Sequence, residues 1–208
     1  MIALIDYGAG NLTSVRKALA AAGAEFVTPR TPAGLAGAAG VIVPGVGHFG
    51  ATASLDGPWR AAIRARVAEG CPLFGICLGM QWLFDESTEA PGVAGLGLLA
   101  GRCTRLDNQG GALKVPHVGW NALSFPRQTR LLDGVRSGTY VYFTHSYAAP
   151  ITAAAAATTS YGNTFASAVE QDHVFGVQFH PEKSSDAGIQ MIGNFLARCR
   201  HQPAESGR

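Results

Sequence analysis

Two short stretches hold the residues whose types and spacing can do covalent chemistry. "PLFGICLGMQWLF", residues 72–84, sets one thiol, Cys77, in an otherwise apolar run with Gly75 and Gly79 two positions to either side. A nucleophile on a sharp strand-to-helix turn needs such small neighbours, because its own backbone is strained there. Gly75-x-Cys77-x-Gly79 is the nucleophile-elbow pattern with sulfur in place of oxygen. The helix N-terminus that follows favours a thiolate and offers the backbone N–H of Leu78 to an oxyanion. A buried structural cysteine between packing glycines has the same local sequence, so the motif alone leaves both readings open.

A thiol of this kind needs a base, and "VQFHPEKS", residues 177–184, supplies one in His180. Pro181 biases His180 towards extended backbone, and extended residues two apart project to the same face. Glu182 then reaches the side of the imidazole turned away from the sulfur, where a carboxylate sets the tautomer and stabilises imidazolium.

Such groups need a rigid frame. In the first half, IALID (2–6), EFVTP, VIVPG (41–45) and PLFGI (72–76) read as short strands. They alternate with helical patterns over NLTSVRKALAAAG, WRAAIRARVAEG and LGMQWLFDES. Continuous apolar strands separated by helices predict a parallel sheet covered on both faces. In the second half, GLGLLAGRCTRL, ALKVPHVGWNAL, GTYVYFTHSYAA, ITAAAAATTSYG, TFASAVEQ and HVFGVQFH read as strands joined by turns, which predicts antiparallel additions. The alanine run 153–157 is expected within a packed strand, and DAGIQMIGNFLARCR in a last helix. The expectation is one α/β domain over 1–200 and a disordered polar tail over 201–208.

Bulk properties narrow the function. With 208 residues and 47% hydrophobic composition, the chain can bury a full core as one domain. A formal net charge of +2 without a basic run argues against nucleic acid as the main partner. No uninterrupted apolar stretch approaches the roughly 18 residues needed to span a membrane. MIALIDYGAGNL lacks the basic start of a signal peptide. Cys71, Cys77, Cys103 and Cys199 lack paired C-x-x-C spacing, which disfavours zinc, and a disulfide framework is not expected either. These features describe a reduced, cytoplasmic protein in which three of the four thiols are small buried bystanders.

Together, Gly-Ile-Cys-Leu-Gly-Met-Gln and Phe-His-Pro-Glu-Lys-Ser resemble the class I (triad) glutamine amidotransferases, over essentially the whole chain. The resemblance implies a flavodoxin-like α/β fold, hydrolysis of L-glutamine to glutamate and ammonia, and no metal or organic cofactor. It makes Cys77 the nucleophile, His180 the general base and acid, and Glu182 its orienting partner. "VPGVGHFG" (43–50) is similar to the family's oxyanion loop, in which Gly45, Val46 and Gly47 let a backbone N–H approach substrate. His48 departs from the small residues expected there and bears on how freely the loop moves. Gln81 and His145-Ser146-Tyr147 match positions that hold glutamine.

Three further segments, "DYGAGNL" (6–12), "KVPHVGWN" (114–121) and "YFTHSY" (142–147), look like the subfamily of free-standing glutaminases that serve imidazole glycerol phosphate synthase. That resemblance implies a (β/α)8-barrel cyclase as heterodimeric partner, with Asn11, Trp120, Tyr142 and Lys183 at the interface. Two other subfamilies fit less well. Anthranilate- and aminodeoxychorismate-synthase amidotransferases usually carry His-Gly-Lys between elbow and catalytic histidine, and none is present. Pyridoxal phosphate synthase glutaminases normally have Pro-Gly-Gly-Glu-Ser where this chain has PGVGHF. A catalytically silent regulatory module of the same fold is the alternative from another class, but it has no need of thiol, imidazole and carboxylate together.

Overall fold

Gly40–Val43 and Leu73–Ile76 are buried at every residue, so both faces of these strands require cover from another layer. A computed structural model, which describes residues 1–200, has that layering; the tail 201–208 lies outside the described residues. In chain order the elements are β1 (Ile2–Leu4), α1 (Leu12–Ala21), β2 (Phe26–Val27), β3 (Gly40–Val43), α2 (Gly57–Ala68), β4 (Leu73–Ile76) and α3 (Leu78–Trp82). They continue as β5 (Glu86–Ser87), β6 (Arg102–Arg105), β7 (His117–Ala122), β8 (Tyr140–His145) and β9 (Tyr147–Ala148). β10 (Ala155–Tyr161), β11 (Asn163–Gln171), β12 (Val174–Val177) and α4 (Ser185–Arg200) complete the series.

The main sheet runs β10-β11-β12-β4-β3-β1-β2. Its pairs from β12 through β2 are parallel, and β10 and β11 add antiparallel strands at one edge. α1 and α4 pack into the core on one face, α2 and α3 into the core on the other. This is the α/β fold expected from the sequence. α1 forms because Asn11 accepts a hydrogen bond from the Ser14 N–H and because Val15, Ala18 and Leu19 share one buried face. Among the described residues no helix is long and apolar enough to cross a membrane.

The strand order β2-β1-β3-β4-β12 is the flavodoxin-like one, and in such sheets ligands sit beyond the carboxyl ends of the strands near the switch point. Tyr7, Gly45, Cys77 and His180 follow the carboxyl ends of β1, β3, β4 and β12 respectively. A two-stranded ribbon, β7 with β8, stands beside this end of the sheet. Its alternation turns His117, Val141, Phe143 and His145 inward and leaves Val118, Trp120 and Tyr140 exposed.

Three local expectations need correction. The helix after Cys77 ends at Trp82 instead of continuing through LFDES, because other backbone captures its last carbonyls. Leu96 N–H donates to the Trp82 carbonyl (2.5 Å), Leu98 N–H to that of Leu83 (2.9 Å) and Gly97 N–H to that of Phe84 (3.0 Å). For the same reason only residues 102–105 of GLGLLAGRCTRL form a strand. In the alanine run, Ala155 N–H donates to the Thr152 carbonyl (3.0 Å) and closes a turn, so the strand begins at Ala155.

Candidate active site

Cys77 sits at φ 54°, ψ −107°, a conformation that side-chain-bearing residues rarely adopt and that costs on the order of 1–3 kcal/mol. The surroundings enforce it. Cys77 N–H donates to the Val177 carbonyl at 2.8 Å, and the Cys77 carbonyl accepts from Gln81 N–H at 3.1 Å. α3 lies directly on the sheet because both elbow glycines lack a side chain. A Cβ at Gly75 would lie 2.7 Å from Gly79 C and O and from Met80 N, and one at Gly79 would collide with the Val43 carbonyl.

β12 pairs in parallel with β4, Val177 opposite Ile76, so the two chains leave the sheet side by side. His180 Nδ1 lies 2.8 Å from Glu182 Oε1, both side chains being 2% exposed. Glu182 reaches the ring by a different route from the one expected. The backbone does not stay extended but turns through a 3₁₀ segment, Pro181–Lys183, that swings the carboxylate back under the imidazole. With Nδ1–H donating to Glu182, Nε2 is buried and without a hydrogen-bond partner among the described residues. Burial pulls the imidazolium acidity one way, favouring the neutral ring, but the sulfur of Cys77 and the Glu182 carboxylate outweigh it and raise the pKa to about 10.

Cys77 Sγ accepts a weak hydrogen bond from Gln178 Nε2 at 3.7 Å and lies 3.9 Å from the Thr144 carbonyl. It opens onto a cavity of about 320 Å³ whose wall includes Gly47, Leu78, Gln81, Glu89, Ser146 and Tyr147. The other thiols are buried elsewhere. Burial pushes the Cys103 thiol strongly up and that of Cys199 up to about 12, so both stay protonated and inert.

The 45–47 loop follows β3 across the elbow. Here the structure departs from expectation: Leu78 N–H donates to the Gly45 carbonyl at 3.3 Å and is not free to meet an oxyanion. Gly47 has φ +96°, the one conformation in this loop that calls for glycine. His48 is accounted for by capping: its exposed ring accepts Gly50 N–H at 3.0 Å and starts the 3₁₀ segment Phe49–Ser54. Phe49 N–H in turn donates to Glu89 Oε2 at 2.8 Å, which ties the loop to the cavity wall.

Gln81, His145, Ser146 and Tyr147 all line the cavity, as their sequence positions suggested. The His145 side chain, however, is fully committed. Its Nδ1 lies 2.9 Å from the Tyr147 carbonyl and its Nε2 lies 3.2 Å from His117 Nδ1. The carbonyl can only accept, so His145 Nδ1 carries a proton, Nε2 accepts, and His117 donates from Nδ1. Gln81 Nε2 donates to the same carbonyl at 2.8 Å and to Gln178 Oε1 at 3.1 Å. Burial pushes His145 down to about 3 and His117 down to about 4, so both rings are neutral. His145 therefore supports the pocket through its backbone and its relay.

Sequence reasoning missed Glu89, Gln178 and His117. Gln178 carried a signal, since the alternation of VQFH puts residues 178 and 180 on one face. Glu89 carried none within its own polar segment.

On the outer side, Trp120 and Tyr142 meet edge to face at 6.1 Å, and Lys183 Nζ lies 5.7 Å from the Tyr142 ring centre. The Tyr142 carbonyl accepts His180 N–H at 2.9 Å. Asn11 caps α1, which packs on the Pro181–Lys183 turn.

Known proteins resemble this chain over nearly its whole length. Residues 3–199 match the family model described as glutamine amidotransferase class-I. A Natronomonas pharaonis protein named imidazole glycerol phosphate synthase subunit HisH is 46% identical over 207 residues, covering 95% of this chain and 94% of the relative. A protein of the same name from Moorella thermoacetica is 47% identical over 204 residues, covering 96% of each. Among solved structures, one described as glutamine amidotransferase superposes with a TM-score of 0.74 at 23% identity, covering 96% of this chain and 98% of that one. The glutaminase domain of Trypanosoma brucei CTPS with bound acivicin gives 0.67 at 17% identity, covering 98% and 94%. At these identities the structural likeness speaks for the fold alone.

Proposed function

The chain belongs to the glutamine amidotransferase class-I family, and on that premise we propose that it is the glutamine-hydrolysing subunit of an imidazole glycerol phosphate synthase. Its partner in this reading is a (β/α)8-barrel cyclase, joined as a cytoplasmic heterodimer that uses the ammonia in histidine biosynthesis. The relatives of 46% and 47% identity that carry that synthase's name support the choice of subunit. One observation carries the chemistry: a strained thiol lies beside a buried imidazole whose Nδ1 is held by a carboxylate and whose Nε2 has no hydrogen-bond partner among the described residues.

L-glutamine enters the cavity, with its α-ammonium towards Glu89 and its side-chain amide over Cys77. His180 Nε2 takes the proton of Cys77 and becomes the imidazolium that the Glu182 carboxylate holds at Nδ1. The thiolate forms a C–S bond to the amide carbon, and the carbonyl electron pair moves to oxygen. His180 Nε2 gives its proton to the amide nitrogen, the C–N bond breaks, and ammonia leaves a γ-glutamyl thioester. The neutral ring then takes a proton from water as the water attacks the thioester. Breaking of the C–S bond releases glutamate and restores the thiolate.

The oxyanion needs the N–H of Leu78 and one from the 45–47 loop. With Leu78 N–H tied to the Gly45 carbonyl the hole is incomplete, and a missing donor costs roughly 10²–10³ in rate. Turning the Gly45–Val46 peptide completes it. A partner seated over Trp120, Tyr142 and Lys183 lies one backbone hydrogen bond from His180 and one residue from Glu182. Docking there can therefore bias the loop and the triad together.

The test is glutamate release by the subunit alone, with the cyclase, and with the cyclase and its nucleotide substrate. Turnover is expected to be low alone and highest in the last case. Cys77→Ala is expected to abolish glutamine-dependent synthesis and to leave synthesis from added ammonium intact. A Cys77→Ala protein that still released glutamate near the wild-type rate would overturn the assignment.

A further inference from the structure

Tyr7 follows β1 and enters the same end of the sheet as the elbow, yet it does not line the glutamine cavity. Its hydroxyl is shielded from water and has no hydrogen-bond partner among the described residues. A buried hydroxyl left unpaired costs about 1–3 kcal/mol, and an orphan of this kind calls for a reason. Its position suggests one. A Cβ on Gly45 would collide with Tyr7 Oη and would lie 2.8 Å from Leu78 Cβ. The hydroxyl thus faces the Gly45 Cα directly, on the side where a side chain would project, while the Gly45 carbonyl is bonded to Leu78 N–H.

We infer that Tyr7 is a positioning residue for the oxyanion loop: its hydroxyl donates to the Gly45 carbonyl once that carbonyl has turned away from Leu78. The inference rests on the proposed role of the 45–47 loop. When Leu78 N–H is released to meet an oxyanion, the Gly45 carbonyl loses its donor in a buried place. A carbonyl oxygen lies about 2.4 Å from its own Cα, so rotation about the Cα–C bond can bring it to the waiting hydroxyl. One unpaired polar group in the resting conformer and one in the turned conformer would then satisfy each other. Burial, with the negative charge of Cys77 second, keeps the Tyr7 hydroxyl protonated and able to donate. Gly45 has to be glycine because the hydroxyl occupies the place of a side chain.

Tyr7→Phe removes the oxygen and keeps the ring. In the assembled enzyme with cyclase and nucleotide, kcat for glutamine hydrolysis is expected to fall about tenfold, the worth of one buried hydrogen bond. KM should stay within twofold, and the melting temperature should hold or rise, since the resting conformer loses an orphan group. A γ-chloroketone analogue of glutamine, whose adduct with Cys77 uses the oxyanion hole, should label it more slowly by the same factor. Iodoacetamide, which does not use the hole, should label it at the wild-type rate. A kcat within twofold of wild type would overturn the inference. So would a loss accompanied by slower iodoacetamide labelling, which would mean that the sulfur itself had moved. An inactive wild-type complex would sink the glutaminase reading, and this inference with it, whereas an active wild type matched by Tyr7→Phe sinks the inference alone.

Discussion

Gly75→Ala is the smallest change that tests whether packing at the elbow sets the chemistry. The added Cβ would lie 2.7 Å from three backbone atoms, Gly79 C, Gly79 O and Met80 N, where ordinary contact begins at 3.4 Å. The first turn of α3 must therefore withdraw from β4 by at least 0.7 Å, the difference between those two distances. No flexible side chain is available to absorb the shift, because all three atoms are main chain. Overpacking of this kind costs about 1–3 kcal/mol. For a domain of this size that corresponds to a melting temperature lower by roughly 2–12 °C. The same shift carries Cys77 and Leu78 with it, and a misplacement near 1 Å can cost about 10²-fold in rate. Glutamine-dependent kcat/KM in the complex should thus fall about 10²-fold, while ammonium-dependent synthesis by the cyclase is unchanged. Gly193→Ala on α4 is the control, because a Cβ there meets nothing within 4 Å. It should stabilise the chain by up to about 1 kcal/mol and leave turnover alone. Wild-type turnover and melting in Gly75→Ala would refute the view that α3 is pressed onto β4 to aim the sulfur.

Three further outcomes are expected. Stability should peak near pH 6.5, the ordinary histidine value. His117 and His145, lowered to about 4 and about 3, contribute stability above 6.5 that is lost as pH falls towards those values. His180, raised to about 10, contributes stability below 6.5 that is lost as pH rises through 10. Denaturant titrations at pH 5, 6.5 and 9 check this: each arm should cost on the order of a few kcal/mol, and Cys77→Ala should shrink the alkaline one. A monotonic profile would contradict it. Glu182→Gln removes the charge that holds His180 Nδ1 and should lower kcat by about 10² or more with little change in KM. A kcat within twofold of wild type would show that the carboxylate is incidental. Trp120→Ala and Lys183→Ala should weaken stimulation of glutaminase by cyclase plus nucleotide, measured where the complex remains intact. Unchanged stimulation in both variants would reduce that face to a static contact.

The sequence disclosed the parts of the site whose geometry is local. Gly75, Cys77 and Gly79 lie within one turn, and His180, Pro181 and Glu182 within three residues, so spacing alone reports strain and reach, though not the 3₁₀ turn by which Glu182 comes back to the ring. It could not disclose groups whose partners come from distant strands. Glu89 meets Phe49 N–H across 40 residues, and Gln178 meets the thiol across 101. His117 and His145 are joined only by the β7–β8 register. The length of α3 failed for the same reason. Trp82, Leu83 and Phe84 continue an apolar helical pattern, and only the 95–99 segment, arriving from outside, takes their carbonyls. The strands of the second half were legible as β-branched and aromatic runs bounded by turns: β8 alternates in burial, whereas β12 is buried at every residue and β11 from Phe165 to Glu170. The tie between Leu78 N–H and the Gly45 carbonyl joins main-chain groups of two separate loops, and no pattern of residue types encodes that.

The base-bearing strand does not sit at an edge. β12 lies between β11 and β4, near the middle of the sheet and late in the chain. A nascent chain that has emerged only through β11 therefore has a thiol and no base, and its β4 presents an open row of peptide groups. Until the last strand slides into that slot, the partial chain cannot hydrolyse glutamine and is prone to pair with another exposed strand. Closing a loop of about a hundred residues to fill a central position is slow by comparison with local pairing. Competence should therefore arrive in one late step during synthesis, and a protein clipped before Val174 should be both silent and aggregation-prone.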